Sequence, residues 1–386
     1  MTDGLGLSLG NKYTDTCCRT KLFPSNMSGT PDFIIRNGLR FVKPYYHVYR
    51  TTVKGRWFGK TALQVFTEEF RNYDGEHYLK RIMEDDISVI RRKNKQNIEF
   101  KGLILLDTPL KSGDVIVHRE HIHEKPILNR EIGIMHEDKD LLVVDKPSGI
   151  PMHPVQGYLY NSLTEALKSK LNILRLHPCN RLDKVTSGLV ILCKNFESAS
   201  FYQKMVQERE FRKEYIARVD GDFSHSPLVC RNDVLIIDTK KKAEGVKKRT
   251  AITRFKFLRY NSRLKQSIVL CIPETGRTHQ IRIHLRDLGH PIINDWVYNP
   301  RYKRAFSRSA VESNLPKSLS EIQKEQDERR AAMYSGKTCS KCGINLYKDP
   351  DPDSMVLFLH ALKYTGHDRQ GGIISYETGM PAWTNI

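Results

Sequence analysis

Between Asn129 and about Pro300 the apolar residues arrive in short runs separated by turn residues, and the period of each run selects an element. Leu141 to Val144 is a continuous apolar run closed by Pro147-Ser-Gly149, the pattern of a buried strand. Ser162-Leu-Thr-Glu165 has capping-box spacing ahead of Leu163, Ala166 and Leu167, which predicts a helix. Leu189 to Cys193 reads as a second buried strand. In Phe211, Lys213, Tyr215, Ala217 and Val219 the period is two, so Tyr215 shares a strand face with small and apolar neighbours. From Thr278 the spacing turns helical. Ile281, Leu285 and Leu288 form the buried stripe, Gly289 terminates it, and Arg282 and Arg286 share another face. Met355 to Leu362 predicts a closing strand that returns to the same sheet.

Outside that block the patterning weakens. Residues 1–30 are polar and aperiodic and predict a mobile tail. Residues 31–55 interleave aromatic and basic side chains, including Phe33, Arg36, Arg40, Phe41, Lys43, Tyr45, Tyr46 and Tyr49, and predict an extended arm. Two uses are open for it: packing its aromatics on the body, or stacking bases and touching phosphates. In residues 56–124, Thr61, Leu63, Val65, Phe66 and Phe70 predict one amphipathic helix, and Tyr78, Ile82, Met83 and Ile87 a second. The basic run Arg91, Arg92, Lys93, Asn94, Lys95 is expected in a loop, followed by a turn at Leu110 to Asp114 and a short strand from Val115 to Val117. Residues 301–352 read as a charged insertion, helical or disordered around Glu321 to Arg330, and 353–386 complete the block that opens at 129.

Composition narrows the partners. A formal charge of +19 points to a polyanion, leaving RNA, DNA or an anionic membrane surface open on that number alone. No apolar run approaches the roughly 18 residues of a spanning helix, which argues against a membrane. The cysteines comprise the adjacent Cys17 and Cys18, four scattered residues and Cys339-x-x-Cys342, not the dense framework of a secreted scaffold. A reduced intracellular compartment is expected, the cytoplasm ahead of mitochondrion or nucleus, since the first thirty residues show neither a secretory core nor an arginine-rich transit pattern. Gly55-Arg-Trp-Phe-Gly-Lys-Thr61 has three residues between its glycines where a phosphate-cradling loop needs four, which excludes nucleotide binding there.

Candidate chemistry centres on Asn180-Arg-Leu-Asp-Lys-Val-Thr-Ser-Gly188, where Asp183 stands between an arginine and a Thr-Ser-Gly turn just before a strand. From the residues alone it is either a turn-capping acid or an active-site carboxylate. The stretch resembles the Arg-Leu-Asp-x-x-Thr-Ser-Gly motif of the RluA-type pseudouridine synthases. Three further segments match that family in its order. Asp140-Leu-Leu-Val-Val-Asp-Lys-Pro-Ser-Gly-Ile-Pro-Met-His-Pro154 resembles the opening strand and turn, and Phe211-Arg-Lys-Glu-Tyr-Ile-Ala-Arg-Val-Asp-Gly221 the tyrosine strand. Thr275-Gly-Arg-Thr-His-Gln-Ile-Arg-Ile-His284 with Gly289-His-Pro-Ile-Ile-Asn-Asp295 resembles the late arginine helix and turn. One position departs: the family usually has His where this chain has Asn180.

The resemblance implies a mixed α/β catalytic domain on a mostly antiparallel sheet at 129–300, preceded at 56–124 by a small S4-like RNA-binding domain. It implies Asp183, Tyr215 and Arg282 as catalytic residues: the acid beside the ribose, the ring stacked on the target base, and the charged partner of the acid, with Arg277 as the alternative partner. RNA contacts are expected from Arg181, Arg277, His279, Gln280, Arg91, Arg92 and Lys93. Arg181 has two readings, filling the place of a flipped base or pairing with Asp183. No cofactor is implied, and a monomer is expected.

Asn37 to Tyr46, Gly55-Arg-Trp57 and Cys339-x-x-Cys342 resemble the eukaryotic branch that modifies tRNA anticodon stem-loops, so tRNA is the expected substrate. Ribosomal RNA and non-catalytic RNA binding on the same fold are the alternatives. A zinc deaminase is excluded, because His121-Ile-His-Glu124 has the wrong spacing and Thr338 replaces the required proline. Cys339 and Cys342 are half of a metal site. His360 is read as a satisfied core residue, and with no further ligands evident no metal is expected.

Overall fold

The structure, a computed structural model, describes residues 31–70, 73–155, 157–237, 246–302, 328 and 331–386. The chain divides into two compact units, one built on residues 44–122 and one on 31–43 with 123–386.

The smaller unit is a four-stranded antiparallel sheet in the order Tyr45–Thr52, Val115–Ile122, Ile87–Lys93, Gln96–Lys101. Trp57, Val65, Phe66, Tyr78, Ile82, Val89 and Leu105 form its core. The first expected helix is α-helical only over Ala62–Val65, where Thr61 and Gln64 form a capping box, and it widens into a π-helical turn at Phe66–Phe70. The second helix is Gly75–Met83. Ile87 does not belong to it, because Asp85 takes a φ of 58° that ends the helix and Ile87 opens a strand. The basic run is likewise not a loop. Arg91, Arg92 and Lys93 finish that strand, and Asn94 and Lys95, with φ of 50° and 64°, make the two-residue turn into its hairpin partner.

The expected arm is divided between two sheets. Phe33–Arg36 and Leu39–Val42 form a hairpin that adds Ile127–Leu128 as a third strand, while Tyr45–Thr52 is an edge strand of the smaller unit. Within the hairpin the guanidinium of Arg36 lies 4.2 Å from the Phe41 ring and that of Arg40 4.6 Å from the Phe33 ring. Arginine and aromatic residues thus satisfy one another here.

The larger unit is built on a ten-stranded sheet. Along its main path the order is Val229–Cys230, Thr253–Asn261, Gln266–Pro273, Arg212–Asp220, Leu359–His367, Ser187–Cys193, Leu141–Lys146, Gly133–Glu137. All pairings are antiparallel except that of Ser187–Cys193 with Leu359–His367, in line with the expected mixed α/β class. The closing strand does return to this sheet, although Pro352–Met355 is a 3-10 turn and the strand proper begins at Leu359. The helix Leu163–Leu171 is present without its capping box: the Ser162 hydroxyl donates back to the Leu159 carbonyl at 2.7 Å. The amides of Leu163 and Thr164 donate instead to Pro151 and Met152 carbonyls.

One contact fixes the middle of the sheet. Gly188 pairs with Ala361 across the parallel junction at a φ of 111°, and a Cβ there would lie 2.3 Å from the Ala361 carbonyl oxygen. Only glycine permits that approach, which accounts physically for the end of the Thr-Ser-Gly turn. Of the charged insertion, 303–327, 329 and 330 lie outside the described residues, as does the tail at 1–30. The remainder includes a hairpin of Tyr334–Thr338 with Asn345–Tyr347.

Candidate active site

The turn carrying Asp183 is shaped by backbone bonds and by one buried lysine. Thr186 N–H donates to the Asp183 carbonyl at 3.2 Å, and Gly149 N–H donates to the Lys184 carbonyl at 2.8 Å. Lys146 is fully buried, and its ammonium donates to the carbonyls of Pro147, Ile150 and Lys184 at 3.0, 3.0 and 3.2 Å. Burial pushes this lysine down to about 7, against the pull of the Asp183 charge. The strand ending at Lys146 and the strand beginning at Ser187 are thereby stapled together beside the acid.

The Asp183 carboxylate itself is about one-third exposed, with its side chain at 30%. Arg282 Nη1 donates to its Oδ2 at 3.2 Å, and His279 Nε2 stands 3.5 Å from the same oxygen. Arg282 projects from the helix Gln280–Asp287 and is held from behind: its Nε and Nη2 each donate to Asp295 at 2.7 Å. Asp295 is 1% exposed and also accepts the Val297 and Tyr298 amides. Burial works against the arginine's charge, and Asp295 with Asp183 overcomes it, holding the group well above its ordinary value. Tyr298 completes the wall, its ring 4.9 Å from the Arg282 guanidinium and its hydroxyl 2.9 Å from His279 Nδ1.

Tyr215 lies on the strand Arg212–Asp220 as the alternation requires. Its hydroxyl meets that of Tyr364 at 2.9 Å, and Asn180 Nδ2 donates to Tyr364 at 3.1 Å. Burial, with a contribution from the Asp183 charge, pushes Tyr215 up to about 12, so it remains a neutral phenol at neutral pH. Asn180, the position that departs from the family pattern, therefore orders the tyrosine pair through a single amide.

Asp183, Arg282 and Tyr215 converge as expected, and His279 joins them at the acid. Arg277 does not: its Nε donates to the Thr250 carbonyl at 3.2 Å, leaving Arg282 as the acid's partner. Arg181 is exposed and forms no ion pair with Asp183, whose partners are Arg282 and His279. Gln280 is corrected from RNA contact to scaffold. It is buried, its Oε1 accepts from Thr275 and Arg277, and its Nε2 donates to Ile252 and Thr253, using its hydrogen-bonding capacity internally. Arg91 is paired within its own unit, its Nε and Nη2 donating to the buried Asp114 at 2.8 and 2.7 Å. Arg92 and Lys93 stay exposed at the strand end.

Lys146, Asp295, Tyr298 and Tyr364 had no role in the sequence reading. The signal for Lys146 was a lysine ending an apolar strand just before a Pro-Ser-Gly turn; the pairing of Asp295 with Arg282 is tertiary and left none. His360 is the satisfied core residue expected, bonded to Ser187 and Thr378 at 2.8 and 2.7 Å. His123, which the sequence did not single out as a neighbour of Cys339 and Cys342, has its Nε2 3.5 Å from Cys342 Sγ.

A buried, doubly anchored arginine is thus aimed at a carboxylate about one-third exposed, whose charge is felt by a buried tyrosine. Residues 140–287, which carry all of these groups except Asp295, Tyr298 and Tyr364, match the RNA pseudouridylate synthase family model. Along 91% of its length the chain is 35% identical to the tRNA pseudouridine(31) synthase of Saccharomyces cerevisiae, covering 96% of that protein. It is 34% identical to the yeast mitochondrial tRNA pseudouridine(32) synthase and 31% identical to human pseudouridylate synthase RPUSD2, covering 78% and 74% of those proteins. The chain belongs to the RluA-type RNA pseudouridylate synthases. This pseudouridine synthase has no helix among its described residues long and apolar enough to cross a membrane.

Proposed function

We propose that this pseudouridine synthase acts on tRNA, at a uridine of the anticodon stem-loop, with Asp183 as its catalytic carboxylate. The observation that carries the role of Asp183 is its single guanidinium partner, Arg282, which the buried Asp295 holds in place. Pseudouridine formation breaks the bond from uracil N1 to the ribose, turns the base, and joins its C5 to the same carbon, after which the C5 proton leaves. A carboxylate beside the ribose serves either as nucleophile or as the base for the 2′ proton, and is regenerated in both routes. Arg282 keeps that carboxylate ionised and oriented. Tyr215 stacks on the base and remains protonated, able to pass its hydroxyl proton through Tyr364.

A uridine within RNA must leave its stack to reach this site, at a cost of a few kcal/mol that a loop reduces. Arg181, exposed beside the acid, would stack in the vacated place. The net charge of +19 supports an affinity resting on phosphates and falling with salt. The tRNA assignment is supported by the two yeast relatives, which are named tRNA pseudouridine synthases. Mapping pseudouridine in tRNA and rRNA from cells lacking the protein tests the substrate. Loss confined to the anticodon stem-loop is expected; intact tRNA with altered rRNA would overturn the assignment.

A further inference from the structure

Within the larger unit, the hairpin Tyr334–Thr338 with Asn345–Tyr347 is held by little hydrophobic burial. Apart from the half-buried Tyr334, the residues of its first strand are exposed. A two-stranded hairpin with so little apolar burial is at best marginally stable by itself. Its turn carries Cys339-Ser-Lys-Cys342-Gly343, folded tightly: Gly343 N–H donates to the Cys339 carbonyl at 2.8 Å and Cys339 N–H to the Ile344 carbonyl at 2.9 Å. Gly343 takes a φ of 72° to allow this. The Lys341 amide points at Cys339 Sγ at 3.3 Å, the kind of donor that stabilises a thiolate.

His123 meets this turn. Its Nε2 lies 3.5 Å from Cys342 Sγ, and the donor atoms of His123, Cys339 and Cys342 lie within 4.8 Å of one another. Zinc bonds of ~2.3 Å to sulfur and ~2.0 Å to imidazole, at a tetrahedral angle, put sulfur and nitrogen ~3.6 Å apart. The cluster is thus already spaced as ligands of one ion. The next residue, Glu124, is buried, and its carboxylate accepts the amides of Leu159, Tyr160 and Asn161 at 3.0, 2.9 and 2.8 Å. That anchor fixes the backbone carrying His123, and Lys125 stands 4.9 Å from the Tyr347 ring.

We propose that His123, Cys339 and Cys342 bind one zinc ion, which fastens the hairpin to the segment entering the catalytic unit at His123. Two thiolates and an imidazole at this spacing select zinc among the common divalent ions. The inference is independent of which RNA is modified.

The test is elemental analysis of the purified full-length protein, with Co(II) titration of metal-stripped protein as a second readout that requires no variant. One zinc per chain is expected, with thiolate-to-cobalt charge-transfer absorption saturating at one equivalent. Cys342→Ser and His123→Ala should each weaken zinc binding at least tenfold. Wild-type protein that carries less than one-tenth of an equivalent and shows no thiolate-to-cobalt absorption would overturn the site. Full zinc retention in Cys342→Ser would do so too.

Discussion

Two arginine–aspartate pairs, one in each unit, begin from the same chemistry and end in different work. In the smaller unit Arg91 grips Asp114 through Nε and Nη2, Nη2 also donates to the Pro109 carbonyl, and Asp114 accepts the Lys111 amide. Among the described residues no second carboxylate pairs with this arginine. In the catalytic unit Arg282 grips Asp295 with the same two nitrogens, yet its Nη1 is turned to a second carboxylate, Asp183, that keeps partial contact with solvent. A buried bidentate pair is therefore no mark of function. The unmatched arm of the fork, and the exposed anion it meets, distinguish the site.

Gly188→Ala should have the largest effect on folding, because it drives a Cβ into the Ala361 carbonyl at a backbone angle that disfavours side chains. Loss of roughly 3 kcal/mol or more is expected, read by urea melts, with activity lost along with the fold. Arg282→Met comes next, leaving the buried Asp295 unpaired at about 3–5 kcal/mol and lowering turnover of the surviving folded protein at least ~100-fold. Arg91→Met should cost about 2–3 kcal/mol and leave turnover per folded molecule unchanged. Equal turnover losses in the two arginine variants would break the comparison.

Tyr215→Phe should cost only about 1 kcal/mol, since Tyr364 keeps Asn180 as a partner. Its effect should fall on kcat, by up to ~100-fold if the hydroxyl carries a proton. Acid should act on stability alone. His118 in one unit and His360 in the other are pushed by burial from 6.5 down to about 4. Between those values the unfolded chain binds protons that the folded chain refuses. Stability should thus fall as pH drops from 6.5 towards 4, by at most about 1.4 kcal/mol per pH unit for each histidine, in melts followed across that range.

Much of the catalytic unit was legible in the sequence because its strands and its late helix keep clean periods. Tyr215 alternates with lysine and small residues, and Arg282 stands off the Ile281–Leu285 stripe. The smaller unit was harder to read. Ile87, Ser88 and Val89 are all buried, so their strand shows no alternation and merges with the helix before it. The basic residues after it read as a loop for the same reason. What local pattern cannot encode is pairing at a distance: Asp295 behind Arg282, Tyr364 behind Tyr215, and His123 beside Cys342 are each brought together by the fold.

Asp183, and not the surrounding charge, is expected to perform the reaction. Tritium release from tRNA carrying C5-tritiated uridine, at low salt, compares the purified protein with Asp183→Ala. Release by the parent with none above background from an equally folded, equally RNA-binding variant is the expected result. Comparable release from Asp183→Ala would contradict the account.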